Sequence, residues 1–206
     1  MTTVTINPSA SNHDAWQGAA GAMTLTGQVR MSTGVSWGGL LLPNVTVPAG
    51  ATISSATLYY QASFDVNDDP EVVWYAQAAD TAGVFTTTTS DISNRNRTTA
   101  SVADSATGIG STTYRAVNVT APLAEVFGRA GWASGNSAAL LADALTGSTL
   151  WIRSYDDGTS IWYVSITYTT GTTGTGSATL GEATGSATGS LLIAGSGAVD
   201  LGPATT

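Results

Sequence analysis

The sequence contains no cysteine and no lysine, and His13 is its single histidine among 206 residues. Without cysteine, the chain has no disulfides, thiolate metal ligands or cysteine nucleophiles. A Ser-His-Asp triad requires an imidazole, and His13 lies in the polar run Ser-Asn-His-Asp near the N-terminus, which is typical of a solvated loop. The composition therefore predicts a protein that is not an enzyme and that is stabilised by packing and strand pairing.

Basic residues and long apolar runs are also scarce. Six arginines face 14 acidic residues, which gives a net charge of −8 and opposes binding to a phosphate backbone. The longest apolar run, Leu40–Leu42, is too short to span a bilayer, and the N-terminus lacks the basic and apolar regions of a signal peptide. We expect no nucleic-acid partner, no membrane partner, and assembly in a cytoplasm.

Apolar and polar residues alternate along most of the chain. The alternation is clearest in 56–62, 72–78 and 162–168, and each of these segments is predicted to be a strand with one buried face. Further strands are predicted at 4–6, 23–30, 35–42, 112–120, 138–142 and 148–155. Short strands rich in Thr, Val, Trp and Tyr predict an all-β, jelly-roll-like antiparallel β-sandwich.

Two connections carry local signals. Asp156-Asp157-Gly158 predicts a tight hairpin that pairs 148–155 with 160–168. The one helical pattern covers 120–128, with Thr120 as the N-cap, Pro122 in the first turn and Gly128 as the stop.

The composition changes after residue 168, which divides the chain into a β-sandwich domain, 1–168, and a C-terminal segment, 169–206. In this segment 29 of 38 residues are Gly, Ser, Ala or Thr, and Leu-Gly recurs. The pattern indicates either β-structure that is completed only in an assembly or a flexible linker. Its sparse apolar residues are enough to line a threefold contact, which predicts a homotrimer. These residues are Leu180, Leu191, Leu192, Ile193, Val199 and Leu201.

An acidic cluster, Asp65-Val66-Asn67-Asp68-Asp69-Pro70-Glu71, connects two predicted strands. Oxygen ligands at alternate positions, Asp65, Asn67 and Asp69, have a spacing that suits Ca²⁺. Pro70 stands where an EF-hand loop requires glycine. A solvated loop explains the same residues, so two interpretations remain: a loop without a cofactor, or a Ca²⁺ site.

A second candidate site is an aromatic stripe. If Leu150 and Ile152 face the core, Trp151, Arg153 and Tyr155 share the opposite face of their strand. Trp, Tyr and Arg are enriched at interface hot spots, and aromatic faces also stack on sugar rings. The stripe is therefore predicted to be either a subunit interface or a glycan-binding surface.

Two distant segments carry a family resemblance. The segment 48–58, with the pattern Pro-x-Gly-Ala-x-Ile-x-x-Ala-x-Leu, and the segment 126–136, which ends in Gly-Trp-Ala-Ser-Gly-Asn, precede a Tyr-rich last strand. Together they resemble the jelly-roll modules of virion proteins of tailed bacteriophages, which are distantly similar to carbohydrate-binding-like modules. The Asp-Asn-Arg-Leu-Arg-Glu signature of the latter group does not occur here. Trp132, in the second segment, is predicted to plug one end of the sandwich.

The resemblance implies a structural virion protein, a capsid decoration or head-fibre component that stabilises or extends the particle. It implies the major capsid protein or another virion protein as partner and the virion as location, after assembly in the host cytoplasm. The alternative is a glycan- or receptor-binding module of a phage tail or a bacterial cell surface, with a host surface glycan as partner.

Overall fold

Antiparallel strands dominate the part of the chain that the computed structural model describes, residues 1–66, 70–159 and 161–170. Its strands are β1 (Thr2–Ile6), β2 (Asp14–Gly18), β3 (Met23–Thr24), β4 (Val29–Met31), β5 (Ser36–Leu42), β6 (Thr52–Tyr60), β7 (Glu71–Gln77), β8 (Arg97–Ser105), β9 (Arg115–Asn118), β10 (Ala138–Thr146), β11 (Leu150–Ile152) and β12 (Tyr163–Thr169). They are connected by one α-helix, α1 (Thr120–Phe127), and by 3-10 helices at Ser11–His13 and Tyr155–Asp157.

Two sheets form a sandwich with the strand order of a jelly roll. One sheet has the order β1-β12-β6-β9 and the other β3-β2-β5-β10-β7-β8, while β11 and β4 form a separate pair. Eight strands make up the framework: β1, β5, β6, β7, β8, β9, β10 and β12. In chain order, the first, third, sixth and eighth lie in one sheet and the other four in the second, as in two Greek keys. The predicted fold class is confirmed.

The three clearest alternating segments are strands with the predicted buried faces. Ala56, Leu58 and Tyr60 of β6 are fully buried, as are Val72, Trp74 and Ala76 of β7. Along β12 and the residue before it, Trp162, Val164, Ile166 and Tyr168 face the same core. The strands predicted at 35–42, 112–120 and 148–155 are present but shorter, those at 4–6 and 138–142 are longer, and 23–30 divides into β3 and β4.

The central strands of the larger sheet are buried on both faces. Leu40 and Leu140 belong to the main core, whereas Leu41 and Leu141 pack on the outer face against Phe85 and Ile92 of the loop 78–96. Gly39 makes this possible, because a Cβ there would lie 2.5 Å from the Phe85 ring. The loop is held by Arg95, which packs over the Phe85 ring and donates to the carbonyls of Gly83 and Val84.

The outer edge of β8 is covered by the helix. The Glu125 carboxylate of α1 accepts hydrogen bonds from the backbone N–H groups of Thr99 and Ala100, at 2.9 and 2.8 Å. These bonds hold the pKa of Glu125 below its usual value. A capped edge is a poor template for pairing with another strand.

The predicted hairpin between 148–155 and 160–168 is wrong. β11 pairs with β4, and β12 lies between β1 and β6. Asp156 and Asp157 belong instead to a 3-10 turn that Ser154 caps, and Gly158 ends this turn with φ 70°. The turn redirects the chain, so the two segments enter different sheets.

Helix α1 and the segment 131–136 close one end of the sandwich. The helix ends at Gly128 as predicted, but Thr120 is its first residue rather than its N-cap, and the Thr120 hydroxyl accepts from the Ala56 N–H. Trp132 is buried against Phe127, with ring centroids 4.7 Å apart, and its Nε1–H donates to the Val47 carbonyl at 3.0 Å. The predicted burial of Trp132 is confirmed.

Candidate binding surface

Two tryptophans and two arginines form one surface, called the Trp–Arg surface below: Trp16 of β2, Arg30 of β4, Trp151 of β11 and Arg153, which directly follows β11. Arg30 of β4 lies directly opposite Trp151 of β11. Its guanidinium carbon is 5.3 Å from the Trp151 ring centroid and 5.6 Å from that of Trp16 on β2. The two indoles meet edge to face, with centroids 6.5 Å apart. Both distances to Arg30 are within the range of cation–π attraction.

Arg153 is placed on this surface by backbone pairing. Its N–H donates to the Gln61 carbonyl, the Ser63 N–H donates to the Trp151 carbonyl, and Ala62 bridges to Ile152. Trp151 and Arg153 therefore lie on the same side of an antiparallel ladder, while Leu150 and Ile152 are fully buried on the other side, as predicted. All four side chains of the surface are half-buried.

The two arginines of this surface differ from the other four in having no carboxylate partner among the described residues. Arg95, Arg97, Arg115 and Arg129 each form an ion pair with an aspartate. The Nε atoms of Arg30 and Arg153 are buried and have no hydrogen-bond acceptor in the described part of the chain. The acids that follow Arg153 bond elsewhere: Asp156 accepts from Ser11 and Gly27, and Asp157 accepts from the Ser154 N–H.

A buried carboxyl group is bonded to the turn that follows the Trp–Arg surface. One oxygen of Asp14 accepts from the Tyr155 N–H and from Trp162 Nε1, both at 2.9 Å, and the other is buried without a partner among the described atoms. Burial raises the pKa of Asp14 to about 7, against the opposing effect of the two hydrogen bonds. The first residue of β2 is thus linked to the turn after Arg153.

The predicted stripe of Trp151, Arg153 and Tyr155 differs from the observed surface, which lacks Tyr155 and includes Trp16 and Arg30. Trp151 and Arg153 are together, but β11 ends at Ile152 and Tyr155 begins a 3-10 helix, where it is 38% exposed. Trp16 and Arg30 were missed. The sequence signal for them is slight, a lone Trp and a lone Arg. Arg30 meets Trp151 through the pairing of β4 with β11, and Trp16 reaches both from β2.

The acidic loop is described only in part. Asp65 is exposed and accepts from the Ser111 N–H at 2.7 Å, which lowers the pKa of Asp65. Asn67 and Asp69 lie outside the described residues, and so do Leu180, Leu191, Leu192, Ile193, Val199 and Leu201. Within 1–66, 70–159 and 161–170, no group of three or more acids or histidines could hold a metal ion. The Ca²⁺ site and the threefold contact stay predictions.

A comparison of the chain with protein-family models and with curated proteins finds no match. None of the helices in the described ranges has the length and apolar character that crossing a membrane requires.

Proposed function

We propose that this chain is a structural protein of a tailed-bacteriophage virion that decorates the capsid surface and stabilises or extends the particle. The observation that carries the proposal is the place of the two segments on which the resemblance rests. Trp132 donates to Val47 beside the turn at Pro48, and Val45 pairs with Asn136 and Gly135. The residues just before the first segment are therefore bonded to the second, and helix α1, which contains the start of the second segment, packs on β6, which contains most of the first.

The proposed partners are the major capsid protein or another virion protein, and two further copies of this chain joined through residues 169–206. Assembly takes place in the host cytoplasm, and the mature location is the virion. The Trp–Arg surface is the proposed contact, since Trp and Arg carry much of the binding energy at protein interfaces.

Immunogold electron microscopy tests the location. Antibodies against the folded domain are applied to particles purified from a host lysate, with particles from a deletion mutant of this gene as control. We expect gold label on the capsid and none on the control particles. Label confined to tails or to the host cell surface would contradict capsid decoration.

A second candidate function is a glycan- or receptor-binding module of a phage tail or cell surface. The Trp16–Trp151 pair favours it, because indoles and guanidinium groups are common in sugar sites. A glycan array separates the two functions, since decoration predicts no bound glycan and the alternative predicts loss of binding in Trp151→Ala.

A further inference from the structure

We propose that the Trp–Arg surface binds acidic side chains, Glu or Asp carboxylates, presented by a protein partner, with Arg30 and Arg153 as the recognition residues. The inference rests on the proposed structural role for the partner's location. The chemistry follows from the chain's own residues.

The six arginines divide into two groups by their partners. Of six arginines, four are matched to aspartates within the domain, and the two without a carboxylate partner in the described ranges stand on one surface. At a net charge of −8, the protein repels acidic partners at long range, and salt screens exposed charges over about 8 Å at physiological ionic strength. A carboxylate is therefore attracted only by direct contact, and this surface offers such a contact.

The guanidinium groups of Arg30 and Arg153 suit a carboxylate geometrically. The Nε atoms of both residues are buried, whereas both side chains are half-exposed, so a ligand from outside meets the terminal N–H groups. A carboxylate has two oxygens that match two terminal N–H groups of one guanidinium and can accept from both together. An amide offers a single oxygen, so a neutral ligand makes this contact less well.

The Arg30 guanidinium group is held in a fixed orientation. Arg30 is held 5.6 and 5.3 Å from the two indole centroids, and the antiparallel pair of β4 and β11 fixes its backbone. A guanidinium that is already oriented loses little side-chain entropy on binding. Lysine could not replace it, because an ammonium group lacks the planar fork.

The same contact distinguishes a protein partner from a sugar. Stacking on a pyranose requires an open indole face, and Arg30 covers one face of both Trp16 and Trp151. Both indoles are partly exposed beside the Arg30 guanidinium group. The indoles of Trp16 and Trp151, together with the cations Arg30 and Arg153, suit an acidic protein segment with interspersed apolar side chains.

The test uses NMR of the full-length protein with the side-chain Nε–H signals of the six arginines as reporters. The probe is the peptide acetyl-Glu-Leu-Glu-Leu-Glu-amide, and its Gln counterpart is the control. We expect saturable shifts at Arg30 and Arg153, none at the four paired arginines, and none with the Gln peptide.

Matched variants separate recognition from net charge. Arg30→Gln and Arg129→Gln each remove one positive charge, but Arg129 is already paired with Asp80. We expect Arg30→Gln to raise the Kd by about tenfold or more and Arg129→Gln to change it less than about twofold.

Three results would overturn the proposal: equal shifts at all six arginines, equal weakening by both variants, or saturable binding of a glucuronic-acid oligosaccharide without binding of the Glu peptide. The wild-type titration decides even if Arg30→Gln fails to fold. Because the peptide experiment uses isolated protein, its failure is distinct from a failure to find the protein on capsids.

Discussion

Trp132 is a residue whose role is fixed by two kinds of contact at once. Its ring fills the end of the sandwich beside Phe127, and its Nε1–H satisfies the buried Val47 carbonyl. Gly135 after it, which has φ 96°, lets the chain turn, and Gly131 before it leaves room for the Asp80 side chain, which a Cβ at this position would meet. The residue therefore belongs to the framework and not to a ligand site.

Replacement of Trp132 by alanine should lower the free energy of unfolding by about 3–5 kcal/mol, the usual cost of removing a buried Trp. Trp132→Phe keeps an aromatic ring but leaves the Val47 carbonyl without its donor, which costs about 1–3 kcal/mol. Urea denaturation measures both. A loss below about 1 kcal/mol for the alanine variant, as for a surface position, would contradict the structural role.

Asp14 should make the protein less stable above about pH 7 than at about pH 4. Its pKa is about 7 in the folded state against an ordinary value of 3.8, so folding binds a proton between these values. The stabilisation is fully present below about pH 4 and is lost as pH rises through about 7. The pKa shift of Asp14 corresponds to about 4 kcal/mol in the free energy of unfolding. Asp14→Asn removes the titration and keeps an oxygen acceptor for Tyr155 and Trp162.

Urea denaturation at pH 4.5 and pH 8 checks this expectation. Wild type should lose stability between the two values relative to Asp14→Asn. His13, whose pKa burial lowers, acts with the opposite sign in this window, so the difference between the two proteins is the relevant quantity. Parallel pH profiles would show that Asp14 does not titrate in this range.

The Trp–Arg surface shows why a binding site is harder to predict from sequence than the side of a strand on which a residue lies. The position of Trp151 opposite the buried Leu150 and Ile152 follows from period-two alternation, and so does the shared side of Arg153. The contribution of Arg30 depends on the register between β4 and β11, and that of Trp16 on the approach of β2 to this pair; both are set by the tertiary fold.

At the scale of the elements, β8 joins the two sheets through a buried carboxylate. Asp104 accepts from the Tyr60 hydroxyl of β6 at 2.7 Å and from Arg115 Nε of β9 at 2.6 Å. Burial and the adjacent Asp104 carboxylate raise the pKa of Tyr60 well above its ordinary value. Tyr60 therefore remains a donor, and three strands from both sheets meet at one side chain.

Asp104→Asn should cost about 3 kcal/mol, at the lower end of the range for breaking a buried ion pair, because Arg115 keeps some access to water. The control is Asp143→Asn, which breaks the more exposed pair with Arg97 and should cost less than about 1 kcal/mol. Thermal and urea denaturation of the two variants give the comparison. Equal losses would mean that the link between the sheets contributes no more than an ordinary surface pair.

Strands rich in apolar residues were predictable, whether one face or both faces are buried, and strands with buried polar residues were not. β6 and β12 alternate in burial, and β7 does so except at Val73, which is also buried. β8 buries Thr98 and Asp104, polar residues that carry no apolar period, and β2 begins with the buried Asp14; both were missed. The wrong hairpin came from a local turn signal that could not reveal that β12 pairs with β1 and β6.

At the scale of the whole molecule, the predicted trimer depends on residues after the sandwich. Because β12 ends at Thr169, a truncation after residue 172 leaves the last strand complete. Analytical ultracentrifugation should give a trimer for the full chain and a monomer for residues 1–172. A monomer in both would refute trimerisation, and a trimer in both would move the contact to the sandwich.

The pairing of β1 with β12 also determines how the domain responds to force. Thr2 lies opposite Tyr168, and Ile6 lies opposite Val164. A load applied between Thr2 and Thr169 acts on one rung of the ladder at a time, because antiparallel hydrogen bonds lie perpendicular to the strands. β1 then separates from β12 one residue pair after another. A load between Ile6 and Thr169 instead shears every rung together. A load applied through Thr2 and Thr169 would therefore detach the edge strand β1 first, while β12 keeps its pairing with β6.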